Sequence, residues 1–317
     1  MKSVVSLLLG MLLFAPAAGA QVYPTKAVNL VIPFSPGGGN DTVGRFLAEE
    51  LSKRWGKPVV VENRPGGGTA VGTAYVARSK PDGYTMLLVS TSYSTNAASK
   101  PDLPFDAEKD LVAAATVGEG DLVVLASPQL KVKTLEELKA AAGSRELFYG
   151  ITGVGSNMHF YGATVAEALG IKPVPVSYPG GSEALIDLVA GRLDFVVGAF
   201  VATERQNDKG VVTVAQLGEK RAPSIPDVPT IAEAGYPEAA GENYWTIFVP
   251  AGTPAETITK INEGVQEVMH SPEGEAFLAR LDARPSERTV EQTQALVTDS
   301  IARWKDLAVR IGINESK

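Results

Sequence analysis

The sequence predicts an α/β fold with two lobes, each a central, mainly parallel sheet flanked by helices. Its length of 317 residues exceeds one ordinary domain and suits two lobes of roughly 100 to 150 residues each. From residue 28 onward, short β-rich runs alternate with helical stretches, and glycine-rich turns separate several of them. Strands joined in this order by crossover helices form parallel sheets with right-handed crossovers.

The first lobe is predicted to span residues 21–121. A strand at 28–33 leads through a glycine-rich turn into a helix over about 41–55, which is amphipathic. The same unit then repeats, and a stretch rich in Pro, Asp and Lys ends the lobe as a surface connection. The remaining elements, in order, are the strand 59–63, the turn 65–68, the helix 69–79, the strand 85–90 and the connection 100–110.

The second lobe is predicted to span residues 122–237. Thr134 and Glu137 have the spacing of a capping box, which starts a helix. The other elements are assigned from the same alternation of β-rich and helical runs. They are the strands 122–126, 147–151, 174–178, 194–198 and 211–217, and the helices 157–169 and 182–190.

The C-terminal block, residues 238–317, is predicted to be mostly helical. After a strand at 244–249, capping boxes or proline at the first helical position open helices at Thr253, Ser271 and Thr289. Because this block has so little sheet of its own, we expect it to pack back on the first lobe. Two lobes linked by more than one crossing form a hinged clamp, an arrangement that closes on a ligand.

Residues 1–20 have the pattern of an export signal that is removed. Lys2 precedes an apolar run at 4–14, and Ala18-Gly19-Ala20 fits the small-x-small rule for cleavage. This apolar core is about eleven residues long, whereas a membrane span takes about twenty. We expect cleavage after Ala20 and a location in the periplasm, although composition alone does not separate the periplasm from other exported locations.

Composition narrows the possible functions. The chain has no cysteine, which excludes disulfides, thiol catalysis and thiolate metal sites. Its 29 basic and 36 acidic residues give a net charge of −7 at pH 7, so nucleic acid is a poor candidate partner. No cluster has the spacing of metal ligands, and no dinucleotide or P-loop fingerprint occurs, so we expect neither a metal nor a cofactor.

The segment FSPGGGND, residues 34–41, is the most informative motif. Glycines permit close backbone approach, so the amides of Gly37, Gly38 and Gly39 can point into the crevice beyond the strand. Together with the helix N-terminus they make an anion site. The alternative is a tight turn in which Asn40 or Asp41 caps the helix and Asp41 pairs with Arg45, and this is compatible with binding.

Three further turns repeat this device. NRPGGGTAVG, residues 63–72, lies one unit later on the same sheet edge. In the second lobe, residues 150–157 supply the hydroxyls of Thr152 and Ser156, and residues 178–182 end in Ser182. Capping alone is the alternative for Ser156, Asn157 and Ser182. Tyr93, Tyr178 and Phe200, each near a strand end, are candidates either for ligand contact or for core packing.

Evidence for catalysis is weak. The chain has two histidines, His159 and His270, and lacks both a Gly-x-Ser-x-Gly elbow and a His-Glu-x-x-His helix. Ser156 and His159 allow a Ser-His hydrolase as an alternative, but His159 more simply hydrogen-bonds within the loop and helix start. His270, at the end of a helix, is predicted to be structural.

The chain resembles the Bug family, the periplasmic receptors of tripartite tricarboxylate transporters. The resemblance runs over nearly the whole chain after the signal and lies in blocks that occur in order. They are YPTKAVNLVIPFSPGGGNDTVGR, VVVENRPGGGTAVGTAYVARSKPDGYTMLL, GVGSNMHF, RAPSIPDVPTIAEAGYPE and WTIFVPAGTPAETITKIN. It implies a Venus-flytrap fold of the periplasmic-binding-protein type, in which two glycine-rich loops hold a ligand carboxylate through backbone amides and ordered waters.

The residues and the resemblance together give a set of candidate ligand-binding positions. Most lie on the glycine-rich loops, and the rest follow strands of the same two sheets. The set comprises Phe34, Ser35, Gly37, Gly38, Asp41, Ala70, Val71, Thr91, Ser92, Thr152, Gly155, Ser156, Asn157, Tyr178, Gly181 and Phe200.

The sequence departs from the family pattern at GAFVAT, residues 198–203, where an Asp or Asn followed by a small residue and proline is expected. Ala199 and Phe200 there make a free-amine ligand less favourable and an apolar or aromatic body more so. We therefore expect a monomer that captures a small mono- or dicarboxylate for membrane-embedded transporter subunits. The alternatives are the hydrolase and a ligand-sensing partner of a membrane sensor kinase.

Overall fold

The computed structural model describes residues 23–199, 209–218 and 220–313, and their elements alternate as the sequence predicts. The strands are β1 (Val28–Ile32), β2 (Val59–Asn63), β3 (Thr85–Ser90), β4 (Leu111–Ala126), β5 (Phe148–Ile151), β6 (Val174–Ser177), β7 (Phe195–Ala199), β8 (Val212–Gln216), β9 (Glu242–Pro250) and β10 (Ala283–Pro285). The helices are α1 (Gly39–Trp55), α2 (Ala70–Ala77), α3 (Ser92–Ser99), α4 (Leu135–Ala142), α5 (Asn157–Leu169), α6 (Gly181–Val189), α7 (Ala255–Met269), α8 (Pro272–Ala279) and α9 (Val290–Ile311).

The strands form one hydrogen-bonded path in the order β2-β1-β3-β9-β4-β7-β5-β6, to which β8 and β10 are added by pairing with β4. In the first lobe β1 pairs in parallel with β2 and β3, and in the second β5 pairs in parallel with β6 and β7. The pairs made by β4 and β9 are antiparallel. Each lobe is therefore a three-stranded parallel unit extended by strands that come from elsewhere in the chain.

The β1 strand shows why the first lobe forms. Its sequence VNLVI buries Leu30 and Ile32 on the face covered by α1 and Val31 on the other face of the sheet. A strand covered on both faces loses the alternation of polar and apolar residues and becomes a nearly continuous apolar run. The carboxyl end of β1 therefore emerges at the sheet edge directly before the FSPGGGND loop, which places that loop in the cleft.

The long strand β4 connects the two lobes. Residues 111–121 pair with β9 in the first sheet, and residues 122–126 pair with β7 and β8 in the second. The sequence predicted only the second part, 122–126. The first part contains an alanine run and Gly118 and Gly120, residues that strands disfavour. Pairing with β9 holds it, and β10 pairs with its other edge at residues 118–120.

The last helix, α9, contacts both lobes. Val297 and Ile301 lie in the core of the first lobe, whereas Trp304 and Leu307 lie in that of the second. The division into lobes at 21–121 and 122–237, with 238–317 against the first, remains a prediction. The contacts of the first half of α9 support it, and those of the second half add a link to the other lobe.

The predicted helix starts are largely present. Thr289 and Gln292 form a complete capping box, and Thr134 accepts the backbone N–H of Glu137 at 3.2 Å. The box predicted at Thr253 does not form, because its hydroxyl donates to a carbonyl of the preceding turn instead. Within the residues described, no helix has both the length and the apolar character to cross a membrane.

Candidate functional site

A cavity lies between the two lobes at the carboxyl ends of their parallel strands. Its volume is about 770 Å³, counting the part open to solvent, which is within the range usual for small-molecule sites. The first lobe and β9 line it with Phe34, Ser35, Gly37, Gly38, Gly39, Asn40, Asn243 and Trp245. The second lobe lines it with Thr152, Asn157, Met158, Gly181, Leu185, Val196 and Gly198.

The FSPGGGND loop is anchored by Asp41, which is only 3% exposed. Its Oδ2 accepts the Gly37 amide at 2.7 Å and Arg45 Nε at 2.9 Å, and its Oδ1 accepts Asn63 Nδ2 at 2.9 Å. Burial pushes the pKa of Asp41 up, but these hydrogen bonds together outweigh it and hold that pKa below its ordinary value. Asp41 thus stabilises the loop as an ionised carboxylate rather than facing a ligand.

The N-terminus of α1 supplies the donors of this wall. Gly38 is the N-cap residue and no side chain caps the helix, so the alternative in which Asn40 or Asp41 caps it is not found. The first amides of a helix have no carbonyl of their own helix to bind, and the helix dipole is positive there. Because Gly38, Gly39 and Asn40 line the cavity, this wall is suited to an anion.

Several buried polar atoms that line or border the cavity have no hydrogen-bond partner among the described residues. They are Asn40 Oδ1, Thr152 Oγ1, Ser182 Oγ and Asn243 Nδ2. Leaving such a group unpaired in the interior costs about 1–3 kcal/mol, so native proteins rarely do it without a ligand or water in place. The cavity also has an apolar part, formed by Phe34 and Trp245 from the first-lobe side and by Met158, Leu185 and Val196 from the second lobe.

Two glycines of the second lobe lie very close to the first lobe across the cleft. A Cβ placed on Gly153 of the second lobe would lie 2.9 Å from Gly68 Cα in the first, and Gly153 has a φ of +98°. Similarly, a Cβ on Gly180 would lie 2.9 Å from Ser35 Cβ. Glycine is required at both contacts, because the opposing chain leaves no room for a side chain.

The second glycine-rich turn contributes to a neighbouring cavity rather than to this one. Gly66 to Thr69, Lys100 and Tyr178 line that cavity, which shares Phe34 and Thr152 with the first. The predicted residues Ala70 and Val71 line neither cavity. Their amides donate to the carbonyls of Gly67 and Gly66, which closes the turn into the start of α2.

Tyr178 reaches the neighbouring cavity with its phenol already paired. Its hydroxyl donates to Asp187 Oδ2 at 2.8 Å. Burial, followed by this hydrogen bond, raises the pKa of Tyr178 to about 12, so the phenol remains protonated. Gly155 and Ser156 line neither cavity. Ser156 Oγ instead caps α5 by accepting the His159 amide.

Thr91 and Ser92 do not line either cavity but belong to a buried network that joins the lobes. Ser92 Oγ donates to Asn157 Oδ1 at 3.0 Å, and Asn157 Nδ2 donates to Asn243 Oδ1 at 3.1 Å. Tyr93, the other candidate in this stretch, is a core residue that stacks on Phe248. It lies in α3, a helix that the sequence analysis did not predict because Ser, Thr and Asn are weak helix formers.

The predicted set thus divides in three. Phe34, Ser35, Gly37, Gly38, Thr152, Asn157 and Gly181 line the cavity, Phe200 lies outside the described residues, and the others support the surrounding loops or line the neighbouring cavity. Sequence reasoning missed Met158, Leu185, Val196 and Asn243, and it treated Trp245 as core. Asn243 and Trp245 are two positions apart on β9, and alternate residues of a strand share one face. This spacing in the sequence indicated that the two side chains lie on the same side of the sheet.

The geometry argues against the Ser-His hydrolase. The imidazole Nδ1 of His159 accepts the Gly155 amide at 3.2 Å, while the Ser156 hydroxyl accepts the backbone N–H of His159. In the part of the chain described, no hydrogen bond joins the Ser156 hydroxyl to the imidazole ring. A serine nucleophile needs that contact for activation, so the pair cannot act as one in this arrangement.

His159 predicts a pH dependence of stability. Burial, with the nearby Lys100, lowers its pKa to about 4, whereas an unfolded histidine titrates near 6.5. Below pH 6.5 the unfolded state binds a proton that the folded state does not, so the folded protein loses stability as the pH falls from 6.5 toward 4. Between pH 7 and pH 5 the loss from this residue should be about 2 kcal/mol.

Urea unfolding at pH 7 and pH 5 measures this loss. His159→Gln should remove it, because a neutral amide does not titrate. His270→Gln is the matched control, since that imidazole is exposed on α7. A pH dependence that is the same in His159→Gln and in the wild type would show that the buried imidazole does not cause it.

The fold and the cavity together define a class of protein. Two lobes enclose neutral hydrogen-bond donors, a helix N-terminus and an apolar wall, and the one Ser-His pair considered is not activated. Among the described residues no group of acidic, histidine or cysteine side chains could hold a metal ion. This is the arrangement of a small-molecule binding protein.

Comparison with known proteins gives the family. The chain matches the model of the tripartite tricarboxylate transporter family receptor, TctC, over residues 43–313, and it therefore belongs to that family. Protein BugT of Bordetella pertussis is 31% identical over 303 residues, covering 94% of this chain and 93% of BugT. The family consists of solute-binding receptors, so the chain is a binding protein and not an enzyme.

Solved structures confirm the periplasmic-binding-protein fold. The R. palustris protein Rpa4515 with adipate is 30% identical, with a TM-score of 0.88 over 92% of this chain and 98% of that one. MatC from Rhodopseudomonas palustris with bound malate is 29% identical, with a TM-score of 0.86 over 90% of this chain and 99% of that one. The similar structures also include a protein described as a periplasmic binding protein.

Proposed function

We propose that this protein captures a small organic mono- or dicarboxylate in the periplasm and delivers it to a tripartite tricarboxylate-type transporter. The observation that carries the proposal is the wall formed by Gly38, Gly39 and Asn40 at the N-terminus of α1. A carboxylate there accepts hydrogen bonds from backbone amides and interacts favourably with the helix dipole. Malate and adipate, the acids bound by two similar proteins, belong to this chemical class.

The cavity favours an acid of low charge with an apolar body. None of the described residues that line it is a lysine or arginine. Each additional ionised carboxylate would need a charged partner or several donors, because an unpaired buried charge is costly. Phe34, Met158, Leu185, Val196 and Trp245 offer instead a surface for an aliphatic chain or an aromatic ring.

The predicted ligand-binding residues have different roles in this proposal. Ser35, Gly38, Thr152 and Gly181 contact the ligand, while Asp41 holds the first loop in shape. Arg45 and Arg64 do not form a guanidinium clamp, because each is engaged by an acidic residue, Asp41 and Glu62 respectively. Anion recognition therefore depends on neutral donors.

Isothermal titration calorimetry against a panel of acids tests the proposal. Butyrate, succinate, malate, adipate, benzoate, 4-hydroxybenzoate and citrate are titrated, together with the methyl esters of those that bind. We expect at least one mono- or dicarboxylate to bind in the micromolar range or tighter, its ester to bind at least about 100-fold more weakly, and citrate to bind poorly. Equal affinity for acid and ester, or a preference for citrate, would contradict the proposed site.

The location and the partners belong to the same proposal. The signal at residues 1–20 is cleaved after Ala20, and the mature protein is a monomer that meets membrane-embedded transporter subunits. N-terminal sequencing of protein recovered from the periplasm should begin at Gln21. Light scattering after gel filtration should give the mass of one chain, and a stable dimer would count against this part of the proposal.

A further inference from the structure

Asn243 has an unusual position for a strand residue. It lies on β9 opposite Gly120 of β4, beside the point where β4 passes from the first sheet into the second. Its side chain lines the cavity, and the residue is only 1% exposed. Its Nδ2 has no hydrogen-bond partner among the described residues. Asn243 therefore brings a buried amide with an unpaired nitrogen to the wall of the ligand cavity.

The hydrogen-bond network fixes which atom of the Asn243 amide is unpaired. The backbone N–H of Met158 donates to the side chain of Asn157 at 2.8 Å, and a backbone N–H can only donate, so the accepting atom is Asn157 Oδ1. The other atom of that amide is therefore Nδ2. It lies 3.1 Å from the Asn243 side chain, whose nearest atom must then be an oxygen.

The contact with Asn157 decides this orientation. The Asn243 Oδ1 atom also receives a hydrogen bond from the Thr91 hydroxyl at 3.4 Å. Turning the Asn243 amide over would place two NH₂ groups against each other and would lose the bond to Asn157. The Thr91 hydroxyl could pair with either atom, because it can donate or accept. The hydrogen-bond partners of the amide therefore set its orientation. The unpaired group is thus NH₂, which can donate two hydrogen bonds.

We propose that Asn243 Nδ2 is a specificity-determining ligand contact, which donates to an oxygen that the acid carries in addition to its anchored carboxylate. The inference rests on the proposed function and identifies a second recognition point in the same cavity. A buried donor without an acceptor is costly, so a ligand that supplies the oxygen removes that cost on binding. A ligand that presents only carbon or hydrogen to Asn243 does not.

The donor character of this group decides what the ligand must offer. Carboxylate, hydroxyl and carbonyl oxygens all accept a hydrogen bond, whereas an ammonium group cannot. Sites built to pair with a polar ligand group discriminate strongly against analogues that lack it. Asn243 should therefore favour dicarboxylates and hydroxy acids over simple monocarboxylates of the same length and should disfavour an amine at this position.

A purely structural role is the alternative. Asn243 joins Thr91 of the first lobe to Asn157 of the second, and on that basis alone it could serve only to hold the lobes together. Such a role would change the affinity for every ligand by the same factor, because the contact would not touch the ligand. Selectivity between matched acids is the readout that separates the two roles.

Calorimetry on matched acids tests the inference. The probes are butyrate, 3-hydroxybutyrate and succinate, with hexanoate against adipate and benzoate against 4-hydroxybenzoate. We expect the wild type to prefer the acid with the second oxygen in at least one of these series by about tenfold or more.

Two variants separate the roles. Asn243→Asp keeps an oxygen toward Asn157 but turns the unpaired donor into an acceptor. Thr91→Val perturbs the network without altering a cavity residue.

In Asn243→Asp the preference for a dicarboxylate over its monocarboxylate should disappear, whereas a hydroxy acid should retain part of its preference by donating its O–H. Thr91→Val should lower all affinities by a common factor. If Asn243→Asp does not fold, Asn243→Ser tests the same loss of preference, since its shorter side chain carries no amide. Common-factor losses in every variant, or no preference in the wild type, would overturn this inference alone. Failure of all the acids to bind would instead overturn the proposed function.

Discussion

Gly153→Ala is expected to weaken ligand binding about 10- to 100-fold while leaving a folded protein. The new Cβ would lie 2.9 Å from Gly68 Cα and 3.1 Å from Gly68 N, both backbone atoms of the opposite lobe. Backbone atoms cannot rotate away as a side chain does, so the lobes must stay slightly apart. Overpacking of this kind costs about 1–3 kcal/mol, which corresponds to the expected loss of affinity.

The clash acts on closure and not on folding, because Gly68 and Gly153 meet only when the two lobes are together. Alanine at the φ of +98° adds backbone strain, but that strain is present whether the cleft is open or closed. Gly170→Ala is the matched control: it also has a positive φ, +68°, and a Cβ there meets nothing within 4 Å. The control should lose stability and keep its affinity.

Calorimetry gives the affinity of both variants, and small-angle X-ray scattering gives their compactness with and without the acid. The wild type should become more compact on binding, and Gly153→Ala should do so less or only at higher ligand concentration. If Gly153→Ala binds as tightly as Gly170→Ala, ligand capture does not require the lobes to meet at Gly68.

The contacts between the lobes suggest how capture is stabilised. Asn157 of the second lobe bonds to Ser92 of the first and to Asn243 on β9. These groups are polar and buried, so separating the lobes exposes them to water, where each finds new partners at little cost. The free energies of the protein with its lobes apart and with its lobes together therefore differ little. A ligand that contacts both lobes can then shift this equilibrium, and the binding stays reversible.

Much of this fold and part of the site could be predicted from local sequence signals. The loop at residues 34–41 was identifiable because Gly37 must adopt a positive φ and because an apolar strand precedes it and an amphipathic helix follows it. Likewise, Gly153 and Gly155 mark a turn that only glycine can make. Signals of this kind depend on residues a few positions apart, which a single sequence shows directly.

The features that were missed depend on distant residues. Asn243 is oriented by Asn157, 86 positions earlier, and bonds to Thr91, 152 positions earlier, and neither relation leaves a local pattern. The first half of β4 is another example, since its Ala-rich and Gly-containing sequence has low strand propensity and is held by β9 and β10. Ala70 and Val71 were placed in the site by resemblance, but their turn uses its own carbonyls to satisfy their amides.

Gly38→Val is expected to abolish ligand binding, with a loss of at least about 100-fold, in a protein that folds normally. Gly38 has a φ of −81° and a ψ of 175°, an extended conformation that valine adopts without strain. A Cβ there would be in ordinary contact with Ser182 Oγ at 3.6 Å, so the backbone need not move. The two methyl groups would occupy the space in front of the α1 amides where the carboxylate is proposed to bind.

The size of the effect follows from two losses. Hydrogen bonds to a charged group contribute about 1.5–3 kcal/mol each, and displacing the carboxylate removes more than one of them. Valine also leaves the helix N-terminus facing hydrocarbon instead of an anion. Gly38→Ala is the graded control: its single methyl fits beside Ser182 Oγ and should weaken binding less than valine does. Thermal unfolding without ligand should show only a modest loss of stability, of similar size in both, because neither residue is favoured at the N-cap that Gly38 occupies. If the Gly38→Val protein still binds the acid at close to wild-type affinity, the anion site does not lie at the N-terminus of α1. If it fails to fold, this loop has a structural role that its extended backbone does not suggest.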